Sequence, residues 1–196
     1  MTLLLVARHG QTEPNRAGLL LGRGDPALTD TGRSQAAALA GLLERRRPSV
    51  IVSSPLQRCV QTAEAIAAPL GIEVTIDERL IEADYGEWEG MPLADIPADA
   101  SERWRSDPDF RPPGGESLAD VAVRVAAWCE EQSRSETVVA VTHVSPIKAT
   151  VAWALGATPT VAWRLFVEVA SLTTIGRGET GPVLLGFNER AHLHDA

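Results

Sequence analysis

The sequence predicts an α/β fold: a three-layer sandwich with a mostly parallel central sheet and helices on both faces. Three observations predict it. Short apolar, β-rich runs recur at residues 3–6, 50–52, 73–76 and 138–141. Helical patterns stand between them, and that alternating order buries a parallel sheet between two helical layers. A last pair of strand-like runs, 163–175 and 182–187, closes the chain around a glycine-rich turn at 176–181.

The elements follow in order. The first run, Leu3 to Val6, stops abruptly at Ala7-Arg8-His9-Gly10. Residues 31–47 are rich in Ala and Leu, with Thr29, Asp30 or Thr31 available as N-cap. That segment closes on Arg45-Arg46-Arg47, where cations suit the negative end of a helix dipole. Residues 58–70 place Val60, Ala63, Ala67 and Leu70 at helical spacing. Pro and Gly crowd residues 92–115, an insertion with room for short helices. Over 117–134, Ser117 with Asp120 three residues on is a capping signature, followed by a stripe of Leu118, Val121, Val125 and Trp128. Ser145-Pro146 reads as an N-cap followed by proline in the first helical position, opening a helix to Leu155. There is no internal repeat, and all 196 residues read as one domain.

Composition narrows the function. The net charge of −8 argues against a nucleic acid partner, and the one basic run is too small to reverse it. No apolar stretch approaches the ~20 residues of a membrane span. The start MTLLLVARHG has neither the charged region nor the long apolar region of a signal peptide. Two cysteines, Cys59 and Cys129, make no disulfide framework, so a reducing, cytoplasmic setting is expected.

In open α/β sheets, ligands bind beyond the carboxyl ends of the parallel strands. Three of the runs stop on chemically loaded residues: VARHG, VSSPLQR and AVTHVS. The remaining run, 73–76, is followed by ERLIEADYGEWEG, which delivers Glu82. With those strands side by side, Arg8, His9, Arg58, Glu82 and His143 meet on one rim. Two guanidiniums and a histidine trap a dianionic oxygen cluster, because Arg matches phosphate in a bidentate fork and stays charged. A second histidine can attack phosphorus, and a carboxylic acid can protonate the leaving oxygen. These are the parts of a metal-free phosphoryl transfer.

Each residue also has an ordinary reading. His9 alone is a hydrogen-bonded structural histidine, and Arg58 a solvated residue on a first helical turn. Glu82, among Glu78, Asp84, Glu87 and Glu89, is a surface acid. Cys59 is a small core filler. His192 and His194 resemble a metal pair but lack a third ligand, and a frayed tail explains them better. Trp88 and Trp104 line a site or simply pack. Arrangement lifts the first five above these readings: complementary roles stand at the ends of different strands.

Arg8-His9-Gly10, with Gln11, Thr12 and Asn15, resembles the signature of the histidine phosphatase superfamily in its phosphoglycerate-mutase-like branch. The likeness continues through Asp25-Pro26-Ala27-Leu28-Thr29, Gly32 and Gln35-Ala36, then Ser53-Ser54-Pro55-Leu56-Gln57-Arg58 with Thr62-Ala63. It ends with EADYGEWEG, Pro113-Gly114-Gly115-Glu116-Ser117 and Thr142-His143, so it spans nearly the whole chain. The resemblance implies that His9 becomes phosphorylated, that Arg8, Arg58 and His143 hold the phosphoryl oxygens, and that Glu82 is proton donor and then base. It also implies that Asn15 contacts phosphate, while Thr12 and the Leu21-Gly22 backbone edge the pocket. The partner implied is a small phosphomonoester, with no cofactor and no metal; oligomeric state stays open. His9 must be neutral on its attacking nitrogen, its tautomer fixed by a backbone acceptor. Gly10 is expected to let the backbone pass close to the phosphate.

The family holds mutases and phosphatases. Mutases resemble Glu-Arg-x-Tyr-Gly after the acid, whereas this chain has Glu82-Ala83-Asp84-Tyr85-Gly86. Ala83 removes a cation and Asp84 adds an anion, which favours a phosphatase over a cofactor-dependent phosphoglycerate mutase. A silent binding domain would have lost the nucleophile or the acid, and both are present. Residues 141–148 and 170–189 resemble α-ribazole phosphatases, making α-ribazole phosphate a possible substrate.

Overall fold

A computed structural model describes residues 2–132, 136–178 and 181–193. The tip of the closing turn, the last residues expected in the helix after Ser117, and His194 lie outside the described residues.

Six strands form one sheet: β1 (Leu3–Arg8), β2 (Val50–Ser53), β3 (Val74–Ile76), β4 (Val138–Thr142), β5 (Leu172–Gly178) and β6 (Gly181–Glu189). Their spatial order is β3-β2-β4-β1-β5-β6. The β3-β2, β2-β4 and β4-β1 pairs are parallel, while β5 and β6 add an antiparallel ribbon beside β1.

The helices are α1 (Glu13–Arg16), α2 (Asp30–Glu44), α3 (Gln57–Ala67), α4 (Ala98–Ser106), α5 (Leu118–Gln132) and α6 (Val144–Leu155). Strand alternation sends successive side chains to opposite faces. Leu4 and Val6 of β1 and Val138 and Ala140 of β4 join Val121, Val125 and Trp128 of α5 and Ile147 of α6 in one core. Leu5 and Ala7, with Val139 and Val141, join Leu39 and Leu43 of α2 and Ile66 of α3 in the other. Three layers follow directly.

Some boundaries differ from the sequence expectation. Helix α2 ends at Glu44, so the three arginines lie beyond its last turn; Thr29 Oγ1 is its cap, accepting from Gly32 N at 3.0 Å. Helix α5 starts as expected: Ser117 N donates to Asp120 Oδ2 at 2.9 Å and Asp120 N to Ser117 Oγ at 3.2 Å, the reciprocal bonds of a capping box. Helix α6 starts two residues earlier than Ser145 as cap would allow, with His143 at the cap position. Glu82, distant in sequence, accepts the first N–H groups instead, so no local capping side chain is needed. The expected strand 163–175 begins only at Leu172. Pro159–Arg164 is a 3-10 helix, because Trp163 turns its ring edge-on to Trp104 at 4.6 Å between centroids. Ala170, at φ 51°, then reverses the chain before β5 can pair.

Among the described residues, no helix is long and apolar enough to cross a membrane.

Candidate active site

The register of the parallel strands puts Arg8 opposite Thr142 and Ser53 opposite Val141. His9, Ser54 and His143, each one residue further on, therefore share a rim. The rim opens into a crevice because α2, following β1, and α6, following β4, pack on opposite faces of the sheet.

His9 is buried and its tautomer is fixed. Its Nδ1 lies 2.7 Å from the Gly10 carbonyl oxygen, which can only accept, so Nδ1 carries the proton and Nε2 the lone pair. Burial and the charges of Arg8 and Arg58 hold the His9 pKa well below its usual value, keeping the ring neutral. Arg58, fully buried on α3, points its Nε at both histidines, 3.3 Å from His9 Nε2 and 3.2 Å from His143 Nδ1. His143 is thereby left to donate from Nε2 to Ser54 Oγ, 2.7 Å away. Its pKa is also held well below normal by burial and by Arg58. The two rings meet edge-on, 5.1 Å between centroids.

The Arg58 fork is aimed from behind. Nη1 donates to the Gly24 carbonyl at 2.6 Å and Nη2 to the Gly22 carbonyl at 2.9 Å. The N–H groups of Gly22, Arg23 and Gly24 in turn all donate to the Glu89 carboxylate, at 2.9 to 3.2 Å. Arg8 donates from Nη1 to the Val167 carbonyl at 2.8 Å, while its buried Nε has no partner among the described residues. Glu82 is 3% exposed, and its carboxylate accepts from Val144 N at 3.0 Å, Ser145 N at 3.1 Å and Ala83 N at 2.8 Å. The Val144 and Ser145 N–H groups at the helix N-terminus fix the orientation of the Glu82 carboxyl group.

A cleft of about 270 Å³ opens over this rim, lined by Arg8, His9, Asn15, Leu21 and Glu82 among the expected residues. Arg58 and His143 do not line it; both are fully buried behind His9, which each contacts. Thr12 and Gly22 do not line it. Thr12 is buried behind Asn15, donating from Oγ1 to Asn15 Oδ1 at 2.9 Å, which leaves the Asn15 amide N–H groups for the cleft. Gly22 is buried between Glu89 and Arg58. Gly10 serves packing: a Cβ there would meet the Gly32 carbonyl oxygen at 2.3 Å. Asp84, expected to add an anion to the pocket, instead accepts from Gly86 N at 2.8 Å and is not a lining residue. Cys59 is a fully buried filler under His143, its thiol pushed up in pKa by burial. Trp104 lines the cleft and Trp88 packs behind it.

The sequence reading missed Tyr85, Lys148, Trp163 and Phe166, which complete the cleft. The signal for Lys148 was its spacing: one helical turn after Val144 puts it on the same face of α6. Among the described residues, no group of three His, Cys, Asp or Glu side chains is placed to hold a metal.

Residues 4–190 match the family model described as the histidine phosphatase superfamily (branch 1). A bifunctional protein of Mycobacterium tuberculosis is 41% identical over 179 residues, covering 88% of this chain and 49% of that protein. This chain thus spans about half the length of the first curated relatives it matches. Phosphoserine phosphatase 1 of Hydrogenobacter thermophilus is 37% identical over 202 residues, covering 98% of this chain and 95% of that one. Among solved structures, a phosphoserine phosphatase variant from Entamoeba histolytica in complex with phosphoserine superposes with a TM-score of 0.89 at 31% identity, covering 98% of this chain and 100% of that one. With residues 4–190 matched by that model, the chain belongs to the histidine phosphatase superfamily, branch 1.

Proposed function

We propose that this chain is a metal-independent phosphomonoester hydrolase that works through a phosphohistidine at His9. One observation carries the reading: a neutral imidazole nitrogen faces a cleft beside two guanidiniums. His9 Nε2 is 3.3 Å from Arg58 Nε, and the unpartnered Nε of Arg8 belongs to the same cleft. A loose phosphoryl transfer spreads charge over the equatorial oxygens, so fixed cations supply most of the catalysis.

His9 Nε2 attacks phosphorus while the ester P–O bond breaks, and Glu82 gives the leaving oxygen its proton. Arg8, Arg58 and the Asn15 amide hold the phosphoryl oxygens, and His143 joins them when its Nε2–H turns from Ser54 to the phosphoryl group. The Gly10 carbonyl, accepting from Nδ1–H, stabilises the positive ring formed when Nε2 bonds phosphorus. The Glu82 carboxylate then takes a proton from water, whose oxygen displaces His9 and releases inorganic phosphate. Hydrolysis is favoured over isomerisation because Ala83 is buried where mutase-like sequences carry a cation. α-Ribazole phosphate is one candidate substrate, supported by the likeness of residues 141–148 and 170–189. Phosphoserine is another, supported by two of the relatives being phosphoserine phosphatases.

The test is to mix enzyme with a small phosphomonoester, quench in base and map the phosphate by mass spectrometry. It should sit on His9, and His9→Ala should lose at least about 1,000-fold in turnover. Phosphate on another residue, or full activity in the variant, overturns the mechanism.

A further inference from the structure

One cation in the cleft has no part in this scheme. Lys148 lines the cleft on the face of α6 that also presents Val144 and Ser145. It is half-buried, and burial lowers its pKa. Among the described residues, no carboxylate lies close enough to pair with its ammonium and no acceptor takes a hydrogen bond from it. Its ammonium lies over the Trp163 ring, 5.9 Å from Nζ to centroid. Elsewhere the partly buried cations are committed, as Arg79 is to Asp77 and Glu131 and Arg124 to Glu116. Withdrawing an ammonium from water without an anion is costly, so an unpaired one in a cleft points to a ligand that brings the anion.

Geometry says where that anion sits. The Glu82 carboxylate caps the first turn of α6 through Val144 N and Ser145 N. Lys148 lies four residues further on, about 6 Å along the axis. An ester oxygen in position to receive the Glu82 proton would thus have its second anionic group about one helical turn away. That is the reach of a body two or three carbons long. Trp163 beside Lys148, with Leu20 and the exposed Phe166 at the rim, offers an apolar wall rather than donors for a polar body.

We propose that Lys148 is a specificity residue that takes the carboxylate of the substrate, so that this site selects short phosphomonoesters bearing a carboxylate. The inference rests on the phosphatase reading above and narrows it. It also revises the expectation that Ala83 and Asp84 together make the pocket unwelcoming to a carboxylate: Asp84 does not face the cleft, and Lys148 supplies a cation from another position.

The experiment compares phosphoserine with phosphoethanolamine, which differ only in the carboxylate. In the unaltered chain, kcat/KM should favour phosphoserine by about tenfold or more, the scale of one charge-assisted contact. Lys148→Met should bring that ratio down by about tenfold, chiefly through KM for phosphoserine, and Lys148→Arg should retain most of it. A ratio near one in the unaltered chain, or a ratio that Lys148→Met leaves unmoved, overturns the inference while hydrolysis itself stands. Should Lys148→Met fail to fold, the ratio in the unaltered chain and in Lys148→Arg still decides. Absence of phosphate release from either ester, or from any small monoester, would sink the phosphatase reading instead.

Discussion

Of the residues that matter here, those that end a strand were readable from the chain alone. Arg8, His9 and His143 interrupt or follow apolar runs where a buried strand would otherwise continue, and Arg58 follows the second run in a fixed motif. Glu82 was readable only by that company, because five acids crowd the stretch from Glu78 to Glu89 and nothing local distinguishes one of them. Lys148 was marked only by its helical spacing from Val144 and Glu89 by nothing: a lysine on a helix and an acid in an acidic loop are both ordinary surface until the fold buries what surrounds them. A prediction separates Glu82 from its neighbours. Glu82→Gln should slow alkyl phosphates at least about 100-fold and p-nitrophenyl phosphate much less, since nitrophenolate departs without a proton. Steady-state kinetics on both esters check this, and equal losses would remove Glu82 from the acid role.

The capping of the two helices on the Glu82 face shows what an element's own sequence can and cannot announce. The start of α5 is written locally: Ser117 and Asp120 bond each other's backbone, and three residues suffice to see it. The start of α6 is written elsewhere. Its first N–H groups are taken by Glu82, 62 residues away in sequence, so Ser145-Pro146 looked like a cap and is the first turn of the helix itself. The tail misled for a similar reason. Residues 163–171 carry the apolar content of a strand, but Trp163 is used edge-on against Trp104 and the chain bends at Ala170. The local case is directly testable. Ser117→Ala should cost about 1 kcal/mol, seen as a lower denaturant midpoint, while Ser117→Thr keeps the acceptor and most of the stability. An unchanged midpoint in the alanine variant would mean the box contributes nothing.

Across the whole molecule, the sheet was legible because β1 and β4 are continuous apolar runs, buried on both faces, so that each strand feeds both cores. Two buried neutral histidines at the centre of such a structure have a consequence for acid stability. His9 and His143 have folded pKa values well below normal, whereas in the unfolded chain they titrate near about 6.5. As pH falls below that value, the unfolded state gains protons that the folded state does not, so stability must fall. The loss is up to about 1.4 kcal/mol per pH unit for each ring. Thermal unfolding at pH 7.5 and 5.0 should show the lower Tm at pH 5.0. An equal or higher Tm there would mean the rings accept protons in the folded state.

The Arg58 fork is held by carbonyls of Gly22 and Gly24, and that same loop hangs by its N–H groups from Glu89. Arg58 is therefore aimed only after three segments scattered over nearly 70 positions of chain, from Gly22 to Glu89, have met. A refolding molecule can complete its sheet and still lack its oxyanion grip, because closing long loops is slower than forming local helices. On the phosphatase reading proposed above, phosphate release during refolding should therefore lag behind the return of the sheet's circular dichroism.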